Sequence, residues 1–386
     1  MSKRILSHRA TAPSSGPLRI LELIGNAHTG GMETAVGGLV RWLVDSQVAV
    51  SCVCPYESPF TAGLRALGCE VFTTPVGDDP PWRSIQLVVE VARLHGADLI
   101  HAHMPKAHVL AGLAGCLTHL PVVATVHGMN ITSHELGICR TTGSHLITVC
   151  QEAFTQALAM GVPPDRLALI PNGVDLERFR PGAGGEVFRA AIGVPLEAPL
   201  VGFVGRLEPE KGPDLFLRAI APLYHNRPEV HFVMVGDGSM AGQLAALAAQ
   251  LGLGERLHMT GHQDVTAEVY GAFDLLAQTS RSEGMPLVLL EAMACGVPAV
   301  VIAVGGVVEV IENETTGQIT GAGDWEGVGI RVGHLLEQPD KLRAMSQAAR
   351  RRAEEHFDLQ RSARRTVEHF RQISYGEPGV RLTIYE

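Results

Sequence analysis

The chain has 386 residues, of which 46% are hydrophobic and 18% charged, with a net charge of −9 at pH 7. This length accommodates two domains that each bury a core. The acidic balance argues against a nucleic-acid surface, and no apolar run approaches the roughly 20 residues of a membrane span. The seven cysteines are scattered without a C-x-x-C pair, which indicates thiols in a reducing compartment, although the odd count leaves one bridge as an alternative.

Residues 1–16 form a polar segment without the apolar core of a secretory signal. We therefore expect a flexible N-terminal tail and a cytoplasmic protein. The basic residues of this tail, Lys3, Arg4 and Arg9, are weak support for peripheral contact with the inner face of a membrane.

A predicted strand at residues 18–24 precedes a glycine-rich segment at 25–31 and a predicted helix at 32–44. Glycines let the backbone approach a ligand closely, and a helix N-terminus attracts negative charge. The glycine spacing differs from the G-x-G-x-x-G of dinucleotide-binding oxidoreductases, and no acidic residue ends the second strand, so that class is disfavoured. A purely structural tight turn remains the alternative.

Further apolar runs alternate with helical patterns, which is typical of parallel sheets covered on both faces. A glycine-rich stretch after residue 181, followed by Pro195 and Pro199, indicates a linker between two such series. The strands of the first series are predicted at 18–24, 48–54, 71–74, 99–103, 122–126, 146–149 and 167–170, and those of the second at 201–205, 232–235, 257–260, 275–277 and 299–302.

Histidines stand at the ends of two predicted strands of the first series. His101 and His103 share one face of their strand because strand side chains alternate. No carboxylate or cysteine stands at a metal-ligand spacing from them, so a zinc site is disfavoured. His127 ends the next strand, at the edge where open α/β sheets bind ligands. We expect His127 to face a ligand, with a hydrogen-bonded structural histidine as the alternative.

Two cations, Arg206 and Lys211, follow the first strand of the second series. They leave the carboxyl end of that strand, where ligands bind, and could neutralise a diphosphate leaving group without a metal. Taken alone, this loop favours the plainer interpretation of two solvated charges, since Lys and Arg are mostly surface residues.

Residues 280–301, SRSEGMPLVLLEAMACGVPAVV, are the most informative segment. Glu283 lies in a turn, and Glu291 lies eight positions later in an apolar run typical of a helix that begins at Pro286. A helix N-terminus favours an anion such as phosphate, and a carboxylate can accept hydrogen bonds from two hydroxyls. Together these features indicate a nucleotide-sugar site.

The segments GRLEPEKG at 205–212 and EGMPLVLLEAMACGVPAVV at 283–301 resemble the retaining glycosyltransferases of family 4, and the resemblance extends from about residue 18 to about residue 373. It implies the GT-B fold, in which two Rossmann-like, doubly wound parallel-sheet domains face a deep interdomain cleft.

The resemblance also implies a domain layout. It places an acceptor domain at 17–181, a linker at 182–198 and a nucleotide-sugar donor domain at 199–358. A final helix from residue 359 then crosses back to the first domain, and a tail ends at residue 386.

The implied activity is retaining transfer of a hexose from a UDP- or GDP-sugar to a hydroxyl of a glycan, a lipid-linked molecule or a small molecule. The implied setting is synthesis of cell-envelope glycan, exopolysaccharide or glycolipid. No Asp-x-Asp motif occurs in the chain, which agrees with transfer that needs neither a metal nor a cofactor. The oligomeric state stays open.

By the same resemblance, the catalytic candidates are Arg206, Lys211, Glu283 and His127. The two cations would face the leaving diphosphate, Glu283 would hold a sugar hydroxyl without acting as a nucleophile, and His127 would contact the donor sugar. The donor-binding candidates, among which Glu291 would hold the ribose, are Gly30, Gly31, Asn172, Gly205, Gly261, His262, Gly284, Met285, Pro286, Leu287 and Glu291. His103 and Lys106 are the candidates on the acceptor side.

Three alternatives to transfer stay open at this point. A nucleotide-sugar epimerase on the same fold would rearrange its substrate without an acceptor. A phosphorylase of the glycogen type would have a cofactor lysine and a far longer chain, neither of which is evident. A catalytically silent nucleotide-sugar-binding protein would lack site residues, whereas every expected one is present.

Overall fold

The computed structural model describes residues 17–28, 30–263 and 266–377. The predicted N-terminal tail and the last residues of the predicted C-terminal tail lie outside these ranges. Within them the chain forms two α/β domains, each built on a wholly parallel sheet, and the predicted doubly wound architecture is confirmed.

The N-terminal domain is built on seven strands with helices on both faces. The strands are β1 (Arg19–Ile24), β2 (Ala49–Cys54), β3 (Glu70–Thr73), β4 (Leu99–His103), β5 (Val122–Val126), β6 (His145–Thr148) and β7 (Leu167–Leu169). The helices are α1 (Gly31–Asp45), α2 (Pro59–Ala66), α3 (Trp82–Leu94), α4 (Pro105–Thr118), α5 (Ser133–Thr142) and α6 (Gln151–Ala159). The strand order is β3-β2-β1-β4-β5-β6-β7, so the order reverses between β1 and β4, where such sheets bind ligands.

The C-terminal domain repeats this plan with six strands. They are β8 (Leu200–Val204), β9 (His231–Val235), β10 (Leu257–Gly261), β11 (Leu275–Gln278), β12 (Ala299–Ile302) and β13 (Gly317–Thr320). Its helices are α7 (Gly185–Ala191), α8 (Pro213–Asn226), α9 (Ala241–Gln250), α10 (Ala267–Gly271), α11 (Leu287–Ala294), α12 (Val307–Val310), α13 (Trp325–Leu336) and α14 (Pro339–His356), and α15 (Leu359–Tyr375) ends the described chain. The order β10-β9-β8-β11-β12-β13 reverses between β8 and β11.

The stretch predicted to be a loose linker contains α7, which is docked on the C-terminal domain. Arg189 is buried there and donates to the carbonyl oxygen of Ala272 at 2.8 Å and to that of Ala198 at 2.6 Å. Glycine and proline mark the ends of this short helix, and the sequence pattern therefore concealed it. No helix in the described ranges is both long and apolar enough to cross a membrane.

The two crossings of the chain between the domains run side by side. The backbone N–H of Val174 donates to the carbonyl of Phe357 at 2.8 Å, and the N–H of Leu359 donates back to Val174 at 3.0 Å. Helix α15 then packs on the N-terminal domain, where the ring of Phe370 lies 4.8 Å from that of His101. This double crossing fixes where the carboxyl edges of the two sheets meet.

Replacing Gly173 with Ala should loosen this crossing. An added Cβ would lie 2.4 Å from the Cα of Leu359, a backbone overlap that we expect to cost about 1–3 kcal/mol. The free energy of unfolding, measured in urea, checks the change. The control is Gly242→Ala in α9, where a Cβ meets nothing within 4 Å and where Ala favours the helix. Equal stability of the two variants would contradict the account.

Candidate functional site

The loop after β8 approaches the loop after β11 closely enough to exclude a side chain. Gly212 has φ +62°, and a Cβ there would lie 2.0 Å from the carbonyl oxygen of Thr279. Only glycine adopts this backbone conformation without a steric penalty. The contact places Lys211 beside the segment that contains Glu283.

Lys211 and Glu283 form an ion pair in which Lys211 Nζ lies 2.8 Å from each carboxylate oxygen. Glu283 also accepts from Ser280 Oγ at 2.7 Å and from Gln278 Nε2 at 3.0 Å. The sequence analysis assigned Lys211 to the diphosphate and Glu283 to a sugar hydroxyl, whereas in the structure the two side chains bind each other. Lys211 is 26% exposed and Glu283 only 5%, so the ammonium group is the more accessible partner for an anion.

The segment after Glu283 lies directly against the N-terminal domain. A Cβ at Gly284 would lie 2.0 Å from the carbonyl oxygen of His127, and Asn172 Nδ2 donates to the carbonyl of Met285 at 3.0 Å. Pro286 is the N-cap of α11 rather than its first residue, because its φ of −74° comes with an extended ψ of 117°. The first N–H groups of α11 have no partner within the helix.

Glu291 lies in the second turn of α11 and holds the phenol of Tyr270. Tyr270 Oη donates to Glu291 Oε2 at 2.6 Å. Burial raises the pKa of Glu291 to about 7, although the hydrogen bond from Tyr270 opposes that rise. This carboxyl group therefore titrates near neutrality while it lines the cleft.

A buried acid that the sequence interpretation missed lies across the cleft. Glu33, in the first turn of α1, is 4% exposed and accepts from Asn26 Nδ2 at 2.7 Å. Burial raises its pKa, and the charge of Arg206 opposes that rise. An acid in the first turn after a glycine-rich loop was the available signal.

The cleft between the domains has a volume of about 1110 Å³. Arg206 extends into it with its side chain 55% exposed and paired with Glu210 at 2.7 Å. The predicted residues that line the cleft are Gly30, Gly31, Gly205, Arg206, His262, Leu287 and Glu291. Gly261 ends β10 immediately before His262, and Lys106 is exposed in the first turn of α4.

His101 and His103 are buried around a carboxylate, which corrects the sequence analysis. Glu22 in β1 is in register with His101 in β4, and it lies 3.1 Å from His101 Nδ1 and 2.8 Å from His103 Nε2. His103 is 1% exposed, so it faces this cluster and not the open acceptor side.

Three ligating atoms of this cluster lie within 4.8 Å of one another, as in a metal site. However, zinc bonds of 2.0–2.1 Å in a tetrahedron hold their ligand atoms roughly 3.3 Å apart. The observed separations of 2.8–3.1 Å are those of hydrogen bonds between the side chains themselves. We therefore interpret the cluster as a hydrogen-bond network.

The chain is similar to known proteins over most of its length. The family model described as Glycosyltransferase Family 4 matches residues 29–178, and that described as Glycosyl transferases group 1 matches 186–352. The D-inositol 3-phosphate glycosyltransferase of Saccharomonospora viridis is 34% identical over 316 residues, which cover 74% of this chain and 73% of that protein. The enzyme of the same name from Segniliparus rotundus is 37% identical over 191 residues, and the match spans 48% of this chain and only 42% of that enzyme.

A solved structure shows the same fold. The Anabaena protein HepE in complex with UDP and glucose aligns with a TM-score of 0.80 at 23% identity, over 91% of this chain and 98% of that one. At this level of identity the likeness supports the fold and not the substrate.

Replacing Glu291 with Gln should stabilise the folded chain at alkaline pH. A carboxyl group with a pKa of about 7 when folded, against 4.5 ordinarily, binds its proton more tightly in the folded state. The wild type therefore loses stability as pH rises from 4.5 through 7. The variant lacks this loss and should be more stable by on the order of 1–3 kcal/mol at pH 8, with little difference at pH 5.

Urea denaturation at the two pH values measures this difference. The control is Glu355→Gln, which removes a carboxyl group whose side chain is 68% exposed. Equal stability of wild type and Glu291→Gln at pH 8 would show that Glu291 does not titrate near neutrality.

Proposed function

The chain belongs to glycosyltransferase family 4, and we propose that it transfers a hexose from a UDP- or GDP-sugar to a hydroxyl acceptor. We further propose that the transfer retains the anomeric configuration and needs no metal ion. The observation that carries this proposal is the position of Lys211, an accessible ammonium group held by buried Glu283 beside the N-terminus of α11.

The nucleotide would lie on the C-terminal domain. Glu291 has one carboxylate oxygen on Tyr270 and would hold the ribose hydroxyls with the rest of its accepting capacity. Arg206, Lys211 and the first N–H groups of α11 would surround the diphosphate. Such preorganised donors stabilise charge where it develops, which is usually the largest catalytic contribution.

The reacting sugar would lie between Glu283 and His127, where the two domains meet. The bond from the anomeric carbon to the diphosphate oxygen breaks, and a bond to the acceptor oxygen forms on the same face. The acceptor proton passes to the departing phosphate oxygen. Glu283 Oε1 accepts from Lys211, Ser280 and Gln278, whereas Oε2 accepts only from Lys211 and would accept from a sugar hydroxyl. In this role Glu283 would orient the sugar and would not be a nucleophile.

The curated relatives support the choice of acceptor. Those named D-inositol 3-phosphate glycosyltransferase support a polyol hydroxyl as the acceptor class. We propose synthesis of cell-envelope glycan, exopolysaccharide or glycolipid as the setting. The cytoplasm is the proposed compartment, since the cysteines are free thiols.

Replacing Lys211 with Ala should lower kcat by about 100-fold, because one preorganised donor is commonly worth about 3 kcal/mol. Release of nucleoside diphosphate from the donor measures the rate, and circular dichroism checks the fold. The control is Lys341→Ala, which removes an exposed lysine paired with Glu314 at 2.6 Å. Near-normal turnover in Lys211→Ala would exclude the charge-neutralising role.

A thermal-shift panel of UDP, GDP, ADP and their common sugars, each with Mg²⁺ and with EDTA, tests donor class and metal dependence together. Ligand at a hundred times its dissociation constant adds about 2.7 kcal/mol, which should raise the midpoint by several degrees. We expect a shift with a uridine or guanosine nucleotide that persists in EDTA. A shift that EDTA abolishes would contradict metal-independent binding.

A further inference from the structure

A continuous line of hydrogen bonds joins Glu22, in the core of the N-terminal domain, to His127 beside the interdomain contact. His103 Nε2 lies 2.8 Å from Glu22 Oε2, and His103 Nδ1 lies 2.9 Å from His127 Nε2. Glu22 and His103 are 0% and 1% exposed, so water does not compete for these bonds. Burying polar groups is costly unless they are paired, and here the partners form a line that leads to the cleft.

The donor and the acceptor in each of these hydrogen bonds follow from what each group can donate or accept. An ionised carboxylate only accepts hydrogen bonds. Burial alone would raise the pKa of Glu22, but His101 and His103 outweigh it and lower the pKa to about 2. His103 Nε2 therefore donates to Glu22.

The same argument assigns the donor in the hydrogen bond between His103 and His127. Burial lowers the pKa of His103 to about 4 and that of His127 well below its ordinary value, so both rings are neutral at pH 7. A neutral imidazole that donates from one nitrogen accepts at the other. His103 Nδ1 therefore accepts, His127 Nε2 donates to it, and His127 Nδ1 has a lone pair and no proton.

The ring of His127 is half-buried and borders a cavity next to the cleft. It lines a small cavity of about 50 Å³ together with Asn172, and this cavity shares Ala35, Gly173 and Leu359 with the large cleft. In the described part of the chain, no hydrogen bond occupies His127 Nδ1.

We propose that Glu22, acting through His103, holds His127 in the tautomer that offers an unprotonated Nδ1 to the cleft, and that this nitrogen accepts a hydrogen bond from a hydroxyl of the donor sugar. The identity of the ligand rests on the proposed function, whereas the tautomer does not. Glu22 and His103 are positioning residues. The site selects a sugar with a hydroxyl at that position and disfavours a group there that can only accept hydrogen bonds, such as a carboxylate.

The tautomer is measured directly by ¹⁵N NMR of protein labelled at histidine, with His127 assigned from the spectrum of His127→Gln. We expect a pyrrole-like Nε2 and a pyridine-like Nδ1 at pH 7. A protonated Nδ1 would overturn the proposal, and this result needs no nucleotide and no variant of Glu22.

Two matched variants test the line itself. Glu22→Leu leaves neither imidazole with an acceptor at this position, so His103 and His127 should lose their single tautomers. Thr125→Val removes only the hydroxyl that lies 2.8 Å from His101 Nε2, on the branch that does not reach His127, and should leave the His127 signals unchanged. An unchanged His127 spectrum in Glu22→Leu would overturn the proposal.

Affinity measurements distinguish a positioning role of Glu22 from a general structural role. The ligands are UDP-glucose, UDP-galactose and GDP-mannose, each beside its sugar-free diphosphate. For the sugar nucleotide that wild type binds best, Glu22→Leu should lower affinity by about tenfold, the value of one hydrogen bond, and leave UDP or GDP affinity unchanged. Equal losses for both ligands would overturn the proposal. If wild type binds none of these nucleotides, the proposed function is contradicted. The NMR result would still decide the tautomer.

Discussion

The approach of the two domains at Gly284 is the constraint on which the rest of the site depends. The position a Cβ would take at Gly284 is only 2.0 Å from the carbonyl oxygen of His127, so a larger residue would force the domains apart. The Gly306 N–H donates to the Gly284 carbonyl at 2.8 Å and supports this segment from behind. Because Glu283 precedes Gly284, the same contact brings the Lys211 pair of one domain to the histidine line of the other.

Three carboxyl groups around this contact have different partners, and for two of them the partners and the burial shift the pKa in opposite directions. Glu283 is satisfied by four hydrogen bonds, two of them from Lys211. Glu291 has one phenol partner, and burial raises its pKa to about 7. Burial also acts on Glu22, but two imidazoles reverse the effect. Similar side chains thus serve as an anchor for a cation, a group that titrates near neutrality and a fixed acceptor.

The sequence predicted most strands and the loops that end them, because apolar runs and glycines are local signals. It missed β13, since Gly317–Thr320 contains a single aliphatic residue, Ile319, and edge strands need fewer apolar side chains. It also missed Glu22 as the partner of His101, because 79 residues separate them in the chain and only strand order makes them neighbours. The roles predicted for Arg206, Lys211, Glu283 and Glu291 remain predictions until a ligand is seen.

The most direct measurement is a crystal structure of the protein with UDP, grown with Mg²⁺ in the solution. The account predicts diphosphate oxygens within hydrogen-bond distance of Lys211 Nζ, about 2.7–3.2 Å, with the ribose on Glu291 and no metal ion bridging the phosphates. A diphosphate held by a metal ion and remote from Lys211 would contradict it.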